Sequence, residues 1–284
     1  MSTLEADLPA YEVYVIKYAQ RSAMRRDHFL LGDPHEAPMD MDYVVWVIVG
    51  KDRTVMVDVG FSEATARRRK RDWLRCPVTS LELLGVRPED VGDTVITHLH
   101  YDHAGNFGLL PNSQFHIQEP EIHLAAGRQM RNAYFRLAYE VDDIVEVIRL
   151  NFAERVHFHN SRHDLAPGIS LEPLPGHTCG LQGVRVHTAR GWILLASDAS
   201  HYYENVHRQR PFSLVYHTED MVDSFGRILQ LAGGIDRVIP GHDPLVMQMY
   251  PAPRPELAGV AARLDVAPDM TAFDAHFAAI GAAH

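Results

Sequence analysis

Cysteine is nearly missing from this chain of 284 residues; Cys76 and Cys179 are its two thiols. That excludes a disulfide framework and a cysteine-rich zinc module, and it fits reduced thiols in a cytosolic protein. Long apolar runs are missing too. The longest, Tyr43 to Val49 (YVVWVIV), is far shorter than the roughly 20 residues of a membrane span. The opening MSTLEADLPA has neither the basic nor the apolar region of a secretory signal, so a soluble, cytoplasmic protein is expected. Basic charge is in deficit: 27 Lys and Arg stand against 37 Asp and Glu, a net −10. This is the wrong sign for a protein whose partner is nucleic acid or an anionic membrane. What the composition has is an ordinary 46% of hydrophobic residues, enough for a globular core, and 18 histidines.

Short runs rich in Val, Ile, Tyr and Trp predict strands at 11–18, 43–49, 54–57, 94–96, 114–117, 171–174, 184–187, 192–196 and 237–239. Apolar residues at three- and four-residue spacing predict helices at 62–74, 120–126, 131–150 and 218–232. Early strands follow one another and later ones alternate with helices, which suggests mixed sheets covered by helices. From Pro251 the chain reads PAPRPELAGV and then turns Ala-rich. One domain over 1–250 is expected, with 251–284 a C-terminal extension or short terminal helix.

The chemistry concentrates in DTVITHLHYDHAGN, residues 93–106, where a short strand runs into His98, His100, Asp102 and His103. Residues two apart on an extended chain face the same way, so His98 and His100 can grip one metal while Asp102 and His103 turn to a second position. Further candidates each follow an apolar strand: His177 in GHT, Asp198 in ASDAS and His242 in PGHD. They can therefore emerge at one sheet edge and converge there. Imidazole and carboxylate without thiolate suit zinc, iron or manganese.

These residues resemble the metallo-β-lactamase superfamily. The HxHxDH run, the later GHT, the strand-end aspartate and the late GHD stand in that family's order across 58–242. The resemblance implies an α+β fold, the four-layer αβ/βα sandwich, with a dinuclear site at the sheet edges. It implies that His98, His100 and His177 hold one divalent ion, Asp102, His103 and His242 the other, with Asp198 bridging and zinc the expected metal. Asp58 in VDVG matches the family's VDTG, where it orients a ligand; it also reads as a turn aspartate at a strand end.

Within the superfamily, HLHYDHAGN, PMDMDYVVWVI, LASDAS and IPGHDPLV are most similar to N-acyl homoserine lactonases and related lactone hydrolases. That implies a small-molecule lactone substrate, a quorum-quenching role and, as is common there, a homodimer. It also implies a reaction in which a metal-bridging hydroxide attacks the ester carbonyl and Asp102 passes a proton to the leaving alkoxide. Those lactonases carry a tyrosine three residues after the bridging aspartate. Here that position is His201, followed by Tyr202 and Tyr203, so His201, Tyr202 or Tyr203 would donate to the oxyanion.

Other features have plainer readings. RRRKR at 67–71 lies in a predicted helix and reads as a solvated face. His157, His159 and His163 read as exposed imidazoles at a strand end rather than a third metal site, and Cys179 as a packing thiol. Met39, Met41, Tyr134, Phe135 and Tyr139 could line an acyl pocket but are more often core or dimer contacts. The competing functions are a glyoxalase II-like thioesterase, an iron-dependent sulfur dioxygenase and a non-enzymatic metal-binding sensor.

Overall fold

The computed structural model describes residues 8–281. The chain opens with β1 (Glu12–Arg21), β2 (Met41–Val49) and β3 (Thr54–Val57), an antiparallel run, then α1 (Glu63–Arg69) and the short β4 (Asp72–Trp73). Parallel β5 (Asp93–Val95), β6 (Gln114–Gln118) and β7 (Val156–His159) extend the sheet, with α2 (Glu119–Ala125), α3 (Ala133–Arg136) and α4 (Val141–Phe152) in the crossover between the last two. A second sheet contains β8 (His163–Ala166), β9 (Ile169–Pro173), β10 (Gln182–Thr188) and β11 (Gly191–Ser197). After α5 (Tyr203–Arg208) and α6 (Thr218–Ala232) comes β12 (Val238–Pro240), parallel to β11. The chain then runs through α7 (Leu245–Met249), β13 (Ala261–Arg263) and α8 (Thr271–Gly281).

β2 shows why these layers form. Its residues Val44 to Ile48 are all buried, so the strand is covered on both faces. Val44, Trp46 and Ile48 meet Leu171, Val184, Ile193 and Leu195 of the second sheet. Val45 and Val47 face the other way, into a cluster with Ala66, Ile144, Val147 and Leu150 from the helices. On the far side of the small sheet, Leu194, Ala196 and Val238 pack against Met221, Phe225 and Ile228 of α6. The result is the four-layer αβ/βα sandwich. No described helix is long and apolar enough to cross a membrane.

Three expectations change. The predicted 131–150 helix is split into α3 and α4. The segment after residue 250 does include a terminal helix, but it is no mere appendage: β13 pairs with β1 and forms the edge of the large sheet, burying Ala261, Ala262 and Leu264. The predicted helix over 62–74 stops at Arg69, because Lys70 turns left-handed at φ 54°. That turn carries the rest of the RRRKR run off the helix surface.

Candidate metal centre

Strand ends place the site. Val57 of β3 and Val95 of β5 lie side by side in parallel register, so Asp58 and the His98–His103 loop leave the same edge of the large sheet. In the small sheet Ser197 aligns with Pro240, which brings Asp198 next to His242. His177 follows β9. The convergence of these ends across the sandwich gives three groups of ligand atoms: His98, His100, His177 and Asp198; Asp102, His103 and His242; and Asp198, His201 and His242. Within each group the atoms lie within 4.8 Å of one another.

Asp198 divides its two oxygens between the clusters. Its Oδ2 lies 3.3 Å from His177 Nε2 and 3.7 Å from His98 Nε2. Its Oδ1 lies 3.0 Å from His242 Nε2 and 3.4 Å from His103 Nε2. Room for this carboxylate depends on Gly241, where an added Cβ would stand 2.6 Å from Oδ1.

The outer contacts of the imidazoles settle which nitrogen faces inward. His177 Nδ1 is 2.8 Å from the Leu214 carbonyl, and His242 Nδ1 is 2.7 Å from that of Asp42. His103 Nδ1 is 2.7 Å from Asp58 Oδ2. Each is a protonated Nδ1 donating outward, which leaves an Nε2 lone pair pointing into the site. Asp58 also accepts from the Thr97 backbone N–H and hydroxyl at 2.7 and 2.8 Å. It sits at φ 60°, so it is both the turn aspartate and the residue that orients His103. Burial, with the neighbouring imidazoles, holds His98 and His100 well below the ordinary histidine range, so both are neutral.

Two buried polar atoms at the centre, His103 Nε2 and Asp198 Oδ1, have no hydrogen-bond partner. Unsatisfied buried groups cost roughly 1–3 kcal/mol each, and here they face one another across the gap where a cation would satisfy both. The donor set and its orphaned atoms fit divalent metal ions.

His201 lines the cavity above these groups: its Nε2 is 3.0 Å from Asp198 Oδ2 and its ring stacks on Phe212 at 3.5 Å. Tyr202 does not reach that space. Its hydroxyl lies 3.1 Å from His28 Nε2 and 3.3 Å from the Asp40 carbonyl, and it is absent from the cavity lining. Tyr203 packs edge-on to Phe273 of α8. The tyrosine side chains that do line the cavity are Tyr43 and Tyr101, which sequence spacing did not single out. Cys179 donates to the Pro120 carbonyl, and burial beside Glu121 pushes its thiol up to about 12, which makes it inert packing. His116, His159 and His163 form a stack of imidazoles, but among the described residues they make no group of three converging ligand atoms.

Glu121 is a positioning residue that the sequence did not announce. Fully buried at the start of α2, it accepts from Leu99 N–H at 3.1 Å, Gly180 N–H at 3.1 Å and Tyr139 hydroxyl at 3.2 Å. It thus pins the His98–His100 strap and the loop after His177 to each other. Glu121→Ala is expected to cost about 3 kcal/mol, since several hydrogen bonds to one charged group are lost. It should also weaken metal binding by about 10–100-fold. Thermal unfolding and a chelator competition measure the two effects, and an unchanged metal affinity would contradict the assignment.

Comparison with known proteins agrees with this geometry. An N-acyl homoserine lactonase of Bacillus cereus is 33% identical over 137 residues, 48% of this chain and 49% of that protein. The chain thus aligns with about half the length of the curated relatives it matches. The solved structure of a quorum-quenching N-acyl homoserine lactone lactonase superposes with a TM-score of 0.70 at 22% identity, covering 84% of this chain and 95% of the other. AidC, a dizinc quorum-quenching lactonase, does so at 0.66 and 16%, covering 84% and 89%. The sequence model of the metallo-β-lactamase superfamily matches residues 40–242, the span from β2 to the last ligand of the site. With the sandwich, the strand-end ligands and this match together, the chain belongs to the metallo-β-lactamase superfamily.

Proposed function

We propose that this metallo-hydrolase opens the ring of a small lactone, with His98, His100 and His177 holding one divalent cation, Asp102, His103 and His242 another, and Asp198 shared between them. The observation that carries the reading is the division of the Asp198 oxygens between two clusters, at the base of a cavity of about 630 Å³. That volume lies within the range of small-molecule sites. The likeness to lactonases supports the substrate class.

Two divalent cations in these positions would supply hydroxide at neutral pH, by bringing the pKa of a water from 15.7 to about 7, and would polarise an ester carbonyl. The chain's own groups do the rest. Asp102 lines the cavity with its Oδ2 3.8 Å from His242 Nε2 and 3.9 Å from His103 Nε2, placed to carry a proton to the departing alkoxide. His201, its ring stacked on Phe212, lines the cavity beside Asp198 and is placed to meet the substrate carbonyl.

The test is proton release by the metal-loaded protein against lactones of different ring and acyl group and one glutathione thioester. Turnover of at least one lactone above the thioester is the expected result. Thioester turnover without lactone turnover would overturn the lactone assignment, and oxygen uptake in place of either would point to an oxygenase.

A further inference from the structure

In the basic run at 67–71, Arg67 and Arg68 are exposed on α1 as a solvated helix face, but the last three residues are not. Because α1 ends at Arg69 and Lys70 turns left-handed, Arg69, Lys70 and Arg71 line the metal cavity, where Arg21 from the end of β1 joins them. Arg69 is already spent: its Nε donates to Glu140 at 2.7 Å and its Nη atoms to the carbonyls of Leu137 and Tyr139. Arg21 and Lys70 are not, and Arg71 is committed in part, its Nη1 donating to the Arg69 carbonyl at 2.7 Å. Arg71 donates from Nε to the Tyr101 hydroxyl at 3.0 Å, and Tyr101 donates in turn to Tyr43 at 3.2 Å. Among the described residues no carboxylate lies within ion-pair distance of Arg21, Lys70 or Arg71. Arg21 Nε is buried without any hydrogen-bond partner.

In a chain with 37 acids to 27 bases, Arg21, Lys70 and Arg71 gather beside one cavity whose own acids, Asp27, Asp102 and Asp198, make no ion pair with them, and their mutual repulsion is a cost. An anionic ligand removes that cost, and a guanidinium with a free fork suits a carboxylate or phosphate. The neighbouring aromatic cleft formed by Tyr134, Phe135 and Tyr139 beside His100 and His177 has about 20 Å³, room for about one water and not for an acyl chain.

We propose that the cavity contains an anion subsite, made by Arg21 with Lys70 and Arg71, that receives a carboxylate or phosphate on the substrate. The substrate is then a small anionic lactone rather than a long-chain neutral one; the lactone half of this statement rests on the reading above. The subsite is a specificity device, and its effect is carried in KM more than in kcat.

The experiment compares γ-butyrolactone with its ring-carboxylated analogue on the metal-loaded protein and on Arg21→Gln, Arg21→Lys and Lys70→Gln. Calorimetric titration with succinate and with inorganic phosphate is run on the same four proteins. The carboxylated lactone should be preferred by about tenfold or more in kcat/KM. Arg21→Gln should remove most of that preference through KM, with Arg21→Lys retaining part of it. Lys70 is exposed, so Lys70→Gln is a variant whose folding is not at issue, and it should lower the preference by about threefold. Weakened binding of either anion in Arg21→Gln supports the subsite, and the stronger of the two names the group it takes. Equal turnover of both lactones, or a preference that survives in both glutamine variants, overturns it. If no lactone is opened while succinate or phosphate still binds in an Arg21-dependent way, the lactone reading fails and the subsite stands.

Discussion

Asp198→Asn is expected to abolish turnover, lowering kcat/KM by on the order of 10³ or more, beyond the 10–100-fold that losing an outer contact costs. The side chain is nearly fully buried, and both its oxygens are committed, Oδ2 toward His98 and His177 and Oδ1 toward His103 and His242. An amide keeps the shape but replaces one of these acceptors with an N–H₂ that faces an imidazole nitrogen, and it removes one of the few negative charges available to offset two dications. Loss of at least one metal equivalent per chain should accompany the loss of activity. The paired readings are elemental analysis and kcat/KM on the same preparation. Two retained metals with full turnover would show that Asp198 is not shared between the clusters.

Arg25→Ala is expected to have the largest effect on stability. The loop between β1 and β2 is tied to α5 by a network in which Arg25 donates to Glu204 at 2.9 and 3.0 Å and to Asp33 at 3.1 Å. Arg210 contacts the same two carboxylates at 3.1 and 2.8 Å. The side chains of Glu204 and Asp33 are 0% and 1% exposed, so removing Arg25 leaves two buried carboxylates with Arg210 as their shared guanidinium, helped by His276 at Glu204 and His35 at Asp33. Breaking a buried pair in this way costs about 3–5 kcal/mol. For a chain of this size that is a fall in Tm on the order of 10 °C.

The network also sets an acid limit. Burial works to raise the Glu204 carboxyl, but hydrogen bonds from His276 and Arg25 and the charges of Arg25 and Arg210 overcome it and bring it down to about 2. A depressed carboxylate contributes stability that is fully present above its unfolded value, near 4.3, and is lost as the pH falls through the folded value. The wild-type protein should therefore lose stability between about pH 4.3 and 2, with a shallower slope in Arg25→Ala. Chemical denaturation across that window measures it; identical slopes would contradict this role for the network.

Much of the site could be read without coordinates because of how ligands are carried. His98, His100, Asp102 and His103 are adjacent in sequence, and His177, Asp198 and His242 each follow an apolar run, so local pattern was enough to place them at strand ends. What could not be read depends on direction rather than identity. Tyr202 and His201 are neighbours, yet one turns toward His28 and the other into the cavity. The stop at Lys70 has no glycine to mark it, so the charged run looked like one continuous helical face until its left-handed turn was seen. Glu121 was missed because its three donors come from positions 99, 139 and 180, contacts that exist only after the chain has folded. The edge strand β13 was missed for the same reason: AAR has little strand propensity of its own, and its pairing with β1 supplies the order.

The most direct test of the account is a titration of metal-free protein with a divalent cation, following bound metal and lactone hydrolysis together. Two equivalents should bind per chain, with hydrolysis appearing as the second is taken up and with neither seen in Asp198→Asn at the same concentrations. Full activity at a single equivalent, or two bound equivalents with no ester opened, would contradict a shared two-metal site as the seat of catalysis.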